Sequence, residues 1–172
     1  TEELIQTRLK REPTSEDYKQ LHIHFVSSLA VEYQQDKSQF REVAGATSFV
    51  NHLKNTTDYK LGIATGSWEQ SALTKLKAIG LDLTGMSFSH SNLVKTREEI
   101  TRYSIEQLIP GENFAEHDIT YFGDGLWDYR TCMNLGIKFI GIDISGDDKL
   151  KSAGAEIVFS NYTDVNEVMN CI

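Results

Sequence analysis

The fold of this chain is decided by residues 119–128, which read ITYFGDGLWD. The first four residues are apolar or β-branched and favour a buried strand, which runs directly into two glycines, Gly123 and Gly125, on either side of Asp124. Glycines on both sides of an acid leave its carboxylate exposed and let the loop bend. A helix that begins near Gly125 would turn Asp124 and Asp128 toward the same space, because side chains four residues apart share a helix face.

Around this stretch, from about residue 43 onward, short apolar runs alternate with helical patterns. We interpret the apolar runs as strands at residues 61–65, 86–90, 119–123, 139–143 and 156–159. The helical patterns cover residues 67–79, 96–109 and 126–136. Strands separated by helices predict parallel pairing through crossovers, and runs that are apolar on both faces predict helices on both sides of the sheet. The predicted fold is α/β, with a doubly wound, Rossmann-like parallel sheet.

A helical segment precedes this core, so we divide the chain into residues 1–40 and residues 41–172. The first helix has a short apolar stripe, formed by Leu4, Ile5 and Leu9. Thr14 and Asp17 have the capping-box spacing that begins a second helix. Its apolar residues recur at steps of three and four and share one face: Tyr18, Leu21, Phe25, Leu29 and Tyr33.

Composition limits the class of protein. The 172 residues are 40% hydrophobic, enough for one domain with a core and a small added module. The net charge of −8, with acids and bases mixed, argues against a nucleic-acid or anionic-membrane partner. The sequence shows neither a membrane span nor a signal peptide. Cys132 and Cys171 are not spaced as a metal site, which favours two reduced thiols in a cytoplasmic protein.

Ligands of such a sheet bind where the strands end, so the residues after each strand are candidates. Thr65, Gly66 and Ser67 follow the first predicted strand. Ser67 and Gln70 have capping-box spacing, which predicts Ser67 as the N-cap of a helix whose amides face an anion. The Thr65 hydroxyl can donate to a phosphate oxygen, and Gly66 permits close approach of the backbone. An ordinary strand-to-helix turn is the alternative.

Lys95 lies immediately before another predicted helix, which Thr96 and Glu99 begin as a capping box. A lysine at the positive end of a helix is electrostatically unfavourable, so we expect a phosphate or a carboxylate cluster nearby. A solvated loop lysine is the alternative.

Asp124 and Asp128 repel each other unless a cation lies near them. Hard oxygen ligands at a phosphate site suggest Mg²⁺. A helix with an acidic first turn is the alternative. Trp127, beside this loop, either lines a substrate entrance or packs against the protein.

Taken in order, Thr65, Lys95 and the GDGLWD segment resemble motifs two, three and four of the haloacid dehalogenase-like hydrolases. The spacings of 30 residues from Thr65 to Lys95 and 29 residues from Lys95 to Asp124 fit that family. The resemblance covers roughly residues 40–170, and residues 1–36 resemble part of the helical cap that family members carry.

The resemblance implies two-step phosphoryl transfer through an aspartyl phosphate. Thr65 and the Gly66 amide would bind the phosphate, and Lys95 would neutralise developing charge. Asp124 would ligate Mg²⁺, and Asp128 would hold a metal-bound water or orient Lys95. The acidic GDG loop favours a phosphatase over a metal-free dehalogenase.

The family's nucleophile belongs to a DxD motif at the end of the first core strand, and no DxD occurs in this sequence. In the family that strand lies between the strands at residues 61–65 and 119–123. Because the sequence has no DxD motif, we infer that the first core strand is missing. We expect that the natural protein has an upstream segment with DxD, and that without it the chain does not fold as the family does. Direct pairing of the two flanking strands, or a strand from another chain, are alternatives.

The function this predicts is a Mg²⁺-dependent phosphatase of a small phosphorylated metabolite, similar to phosphoglycolate phosphatases. A phosphomutase of the same family is a second possibility, and release of free phosphate separates the two. A third is a catalytically silent phosphate- or partner-binding domain, which the literal sequence favours. A DxD segment upstream would favour the enzymes.

Overall fold

Parallel strands and helices alternate through the computed structural model, which describes residues 6–8 and 10–172. The strands are β1 (Gly62–Thr65), β2 (Ser87–His90), β3 (Thr120–Gly123), β4 (Lys138–Ile142) and β5 (Val158–Phe159). The helices are α1 (Ser15–Gln35), α2 (Ala46–Thr56), α3 (Glu69–Ala78), α4 (Arg97–Leu108), α5 (Leu126–Leu135), α6 (Lys149–Ser152) and α7 (Val165–Met169). The predicted α/β class and parallel pairing are confirmed, whereas the sequence analysis did not predict α2.

The strands form two separate parallel sheets. In the first, β1 pairs with β2, with Gly62 opposite Ser87. In the second, β3 pairs with β4 and β4 with β5. Within the described residues no strand pairing joins β1 to β3. The two strands that were expected to flank a missing strand are therefore not paired with each other.

The backbone of β1 shows which of its edges is open. The Ser87 amide donates to the Leu61 carbonyl, so the odd-numbered carbonyls face β2. The Ala64 carbonyl must then face the other way, and it accepts a hydrogen bond from the Arg97 side chain. An arginine thus binds a backbone acceptor that a neighbouring strand would otherwise pair.

Two helices bridge the sheets, one on each face. Helix α4 packs on β1 and β2 and also contacts α5, which follows β3. The buried cluster around α2 connects the segment before β1 with the second sheet: Phe49, Leu53 and Val168, with Leu61, Phe122, Phe159 and Tyr162 packed against them. Leu61 directly precedes β1. These contacts link the two sheets by helix packing. Within the described residues β1 and β3 do not pair, so the alternative of direct pairing between the flanking strands is wrong.

Helix α1 lies on the surface and has no buried residue. It packs on α3, where His22 and Phe25 meet the Trp68 ring edge-on at 4.9 and 5.7 Å between centroids. The predicted capping box of Thr14 and Asp17 is confirmed. The apolar stripe predicted for the first helix, which comprises Leu4, Ile5 and Leu9, lies outside the described residues. No helix in the described part of the chain is long and apolar enough to cross a membrane.

We expect Phe49→Ala to lower the free energy of unfolding by about 3–5 kcal/mol. Phe49 is 2% exposed and packs against Phe122 and Tyr162, with centroids 5.5 and 5.4 Å away. The same substitution at Phe25, which is 42% exposed on α1, is the matched control and should cost about 1 kcal/mol. Urea unfolding measures both, and equal losses would contradict the bridging role of α2.

Candidate functional site at the strand ends

The predicted site residues gather where β1 and β3 end. Thr65 is the last residue of β1, and Asp124 follows the last residue of β3. Helix α5 begins at Leu126, so Asp128 lies in its first turn. Since the strands within each sheet are parallel, these residues occupy the carboxyl edge, where such folds bind ligands.

Both oxygens of the Asp128 carboxylate are bound by the protein. Its Oδ1 accepts the Tyr121 hydroxyl at 3.1 Å and lies 3.0 Å from the Nε of Arg97, and its Oδ2 accepts the Gly125 amide at 3.2 Å. Asp128 is only 3% exposed. Burial raises the pKa of its carboxyl, while the charge of Arg97 and the two hydrogen bonds oppose that rise.

Arg97 is the site residue that the sequence analysis missed. It is the first residue of α4, and its Nη1 donates to the Ala64 carbonyl at 3.3 Å while its Nε pairs with Asp128. A Cβ placed on Gly66 would lie 3.7 Å from the guanidinium carbon. The side chain is 25% exposed, so the guanidinium spans the gap between the ends of β1 and β3 and remains accessible to solvent.

The signal that could have identified Arg97 is the one that we applied to Lys95. A cation at a helix N-terminus is unfavourable without a negative partner, and Arg97 lies further into the helix than Lys95 does. Lys95 itself is exposed. Its charge and its backbone amide contribute to lowering the pKa of Glu99, although hydrogen bonds from Thr96 contribute more. The capping box of Thr96 and Glu99 is confirmed.

Asp124 has the opposite environment to Asp128. It is exposed, and no hydrogen bond or ion pair to it occurs within residues 6–8 and 10–172. Burial raises the pKa of Tyr162 to about 12, and the negative charge of Asp124 adds to that rise. Burial is also the main cause of the raised pKa of Asp128, and the charge of Asp124 contributes to it. The two carboxylates are thus electrostatically coupled, but one faces solvent and the other faces Arg97.

Glycine is required on both sides of Asp124, because a side chain at either position would collide with its neighbours. Neither has a positive φ angle. A Cβ on Gly123 would lie 2.6 Å from the Cβ of Asp128, and a Cβ on Gly125 would overlap the Trp127 indole. Two side chains of the first turn of α5 therefore pack directly on this loop, and only glycine leaves room for them.

The turn after β1 differs from the prediction. Trp68, not Ser67, is the N-cap of α3, and no side chain of its own caps the helix. The Asn92 side chain, from the loop after β2, instead accepts the Glu69 amide at 2.8 Å. The prediction of Ser67 as the cap was wrong because the turn is one residue longer, with the Ser67 amide donating to the Thr65 hydroxyl at 3.1 Å.

These contacts place hydrogen-bond donors and a positive charge at the end of β1. The Arg97 guanidinium and the Thr65 hydroxyl offer donors at the end of β1. In the described part of the chain, no group of three or more His, Cys, Asp or Glu residues could hold a metal ion. Two surface grooves of about 390 and 490 Å³ lie along α3, but neither is lined by Thr65, Arg97 or Asp124.

Comparison with known proteins agrees with the predicted fold and family. The model of the family described as haloacid dehalogenase-like hydrolase matches residues 3–142. The chain belongs to the haloacid dehalogenase-like hydrolase family. Its fold is similar to that of the crystal structure of a hydrolase from Pseudomonas syringae, with a TM-score of 0.75 and 19% sequence identity over 99% of this chain and 76% of that chain. No curated protein matches its sequence.

Membership of the haloacid dehalogenase-like family confirms the resemblance seen in the motifs and makes the chain a hydrolase-family protein. The structural similarity, at this identity, concerns the fold alone. The roles of Thr65, Gly66, Lys95, Asp124 and Asp128 stay predictions.

We expect Arg97→Ala to lower the free energy of unfolding at pH 7 by about 2–3 kcal/mol. Removing one partner of a fully buried pair costs about 3–5 kcal/mol, and the partial exposure of Arg97 reduces the effect. The loss should shrink as the pH falls, because a proton can then neutralise the buried Asp128 carboxylate.

The sign follows from the raised pKa of Asp128. Between its unfolded and folded pKa values the native protein binds more protons, so stability falls as the pH rises through that window. Arg97→Ala removes a charge that opposes the rise and widens the window. The measurement is urea unfolding at several pH values of Arg97→Ala, of Asp128→Asn and of the variant with both substitutions. Together with the unmodified chain these form a double-mutant cycle. A loss in Arg97→Ala that is independent of pH would show that the pair does not control Asp128.

Proposed function

We propose that this chain is the core of a hydrolase that cleaves a small phosphate monoester and holds the phosphate in the gap between the ends of β1 and β3. The observation that carries the proposal is the position of Arg97. Asp128 and the Ala64 carbonyl fix its guanidinium beside Gly66. A planar cation with several donors is suited to phosphate oxygens.

Thr65 completes the phosphate contacts from the end of β1. Its hydroxyl oxygen already accepts the Ser67 amide, so the hydroxyl hydrogen can be donated to a phosphate oxygen. Gly66 is exposed next to it and has no side chain to limit the approach of a ligand. A dianionic phosphate here would be shared between a hydroxyl on one side and a guanidinium on the other.

Lys95 supplies a second positive charge in this proposal. It is exposed and lies two residues before Arg97, which begins α4. A long flexible ammonium can reach a phosphoryl oxygen when charge develops during transfer, whereas Arg97 is held by two protein acceptors in advance. We therefore assign ground-state binding to Arg97 and transition-state charge to Lys95.

Mg²⁺ fits Asp124 better than Asp128. Mg²⁺ is usually bound by one or two carboxylates together with water and substrate phosphate, and Asp124 presents an exposed carboxylate at the end of β3. Direct ligation by Asp128 would require Arg97, Tyr121 or Gly125 to release one of its oxygens. We propose Asp124 as the Mg²⁺ ligand and Asp128 as the residue that positions Arg97. Bound there, the ion would supply positive charge near the phosphate.

The attacking carboxylate must come from a residue other than these. Asp128 is bound by three groups and Asp124 is the proposed metal ligand, so neither is available as nucleophile. We propose that a strand carrying the family's DxD motif enters between β1 and β3, which belong to separate sheets. Its backbone amides would compete with Arg97 for the Ala64 carbonyl.

The first test is calorimetric titration of the chain with inorganic phosphate. Arg97→Ala should weaken binding by about 10- to 150-fold, the equivalent of the roughly 1.5–3 kcal/mol of a hydrogen bond to a charged group. Arg102→Ala is the matched control, because Arg102 lies on the same helix and pairs with Glu98. It should leave the affinity unchanged.

Lys95→Ala in the same titration separates the two cations. We expect a small loss of phosphate affinity, since its proposed role is in the transition state. If Lys95→Ala loses much of its phosphate affinity and Arg97→Ala does not, then Lys95 and not Arg97 binds the phosphate. Absence of phosphate binding by the unmodified chain would contradict the proposed site. Turnover that moves phosphate within one substrate without releasing it would indicate a mutase.

We expect Mg²⁺ to raise the phosphate affinity of the unmodified chain and to have no such effect in Asp124→Asn, which removes the ligand charge. The measurement is the same titration with and without Mg²⁺. Asp118→Asn is the matched control, because Asp118 is an exposed acid before the opposite end of β3. If Mg²⁺ strengthens phosphate binding equally in Asp124→Asn, Asp124 is not the ligand.

A further inference from the structure

Trp127 is a large aromatic side chain that the proposed chemistry does not use. It is 58% exposed, more than Tyr59, Tyr103 or Phe25, the other exposed aromatic residues in the described part of the chain. It lies in the first turn of α5, three residues after Asp124 and directly before Asp128. An indole of this size is usually well buried in a folded protein, so its position at the edge of the site calls for a reason.

The indole is held against the loop and not left free in solvent. A Cβ on Gly125 would overlap three atoms of the ring, Cε2, Cζ2 and Nε1. Gly125 has φ −110° and ψ 149°, a conformation open to any residue, so the backbone itself does not require glycine there. The missing side chain makes room for the ring, which packs on the loop and keeps more than half of its surface exposed.

We propose that Trp127 is a specificity-determining residue that contacts the leaving group of the phosphate ester and favours leaving groups with a flat apolar face. The proposal rests on the function proposed above. A phosphate bound at the end of β1 beside Arg97 leaves its ester group to extend along the carboxyl edge, on which the Asp124 loop and the Trp127 ring lie. Aromatic faces stack on flat ring systems, so ring-bearing esters should bind better than short acyclic ones.

The test compares two probes, inorganic phosphate and phenyl phosphate, on a Trp68→Phe background in which Trp127 is the sole tryptophan. Phenyl phosphate should change the fluorescence of Trp127 and bind more tightly than inorganic phosphate. Trp127→Ala should reduce this preference by about two- to tenfold, the range expected of one aromatic contact. The affinity for inorganic phosphate should not change. These affinities are measured by calorimetry, because the Ala variant lacks the fluorophore.

Gly125→Ala is the matched variant, because it keeps the indole but displaces it. It should lose the preference to a similar extent, and Trp127→Phe should restore most of it. An unchanged preference in Trp127→Ala overturns the inference while leaving the proposed function intact. A preference that survives in Gly125→Ala also overturns it, since the held position of the ring is then irrelevant. If neither the unmodified chain nor any variant binds inorganic phosphate, the proposed function is contradicted. The inference, which rests on that function, is then contradicted as well.

Discussion

The ion pair between Arg97 and Asp128 is the interaction on which the arrangement of the site depends. Arg97 belongs to the helix that packs on the first sheet, and Asp128 to the helix that follows the first strand of the second sheet. Burying a carboxylate has a desolvation cost that only good geometry and additional hydrogen bonds offset. Here the Tyr121 hydroxyl and the Gly125 amide supply those bonds. Arg97, which also binds the Ala64 carbonyl, therefore joins the carboxyl ends of β1 and β3 through Asp128.

This pair also gives the two carboxylates of the GDGLWD segment different properties. Asp128 is buried with a raised pKa and a bound counter-charge, while Asp124 is exposed on the same loop. The difference arises because the first turn of α5 folds its side chains onto two glycines, which direct Asp128 inward. A Cβ at Gly123 would collide with Asp128 and displace it from Arg97. Two chemically identical groups thus differ in environment, because one carboxylate is held by Arg97 and the other is exposed to solvent.

Much of this was predictable from local patterns. The period of the apolar runs gave the strands to within one or two residues, and the capping boxes at Thr14 and Thr96 were read correctly. Such features depend on residues close together in sequence. The contact between Arg97 and Asp128 joins positions 31 residues apart, and the Asn92 side chain that meets the Glu69 amide is 23 residues away. Sequence spacing alone does not reveal these tertiary partners.

The divided sheet shows how the chain compensates for a pairing that is not made. An unpaired backbone carbonyl at the open edge of β1 would cost on the order of 1–3 kcal/mol if buried. Arg97 satisfies the Ala64 carbonyl with a side-chain donor, and α2 and α4 hold the sheets together by packing. A count of backbone groups alone does not include such a side-chain donor. Arg97 thus satisfies a backbone acceptor and a buried carboxylate at the same time, and a strand that entered between β1 and β3 would take over the first of these contacts.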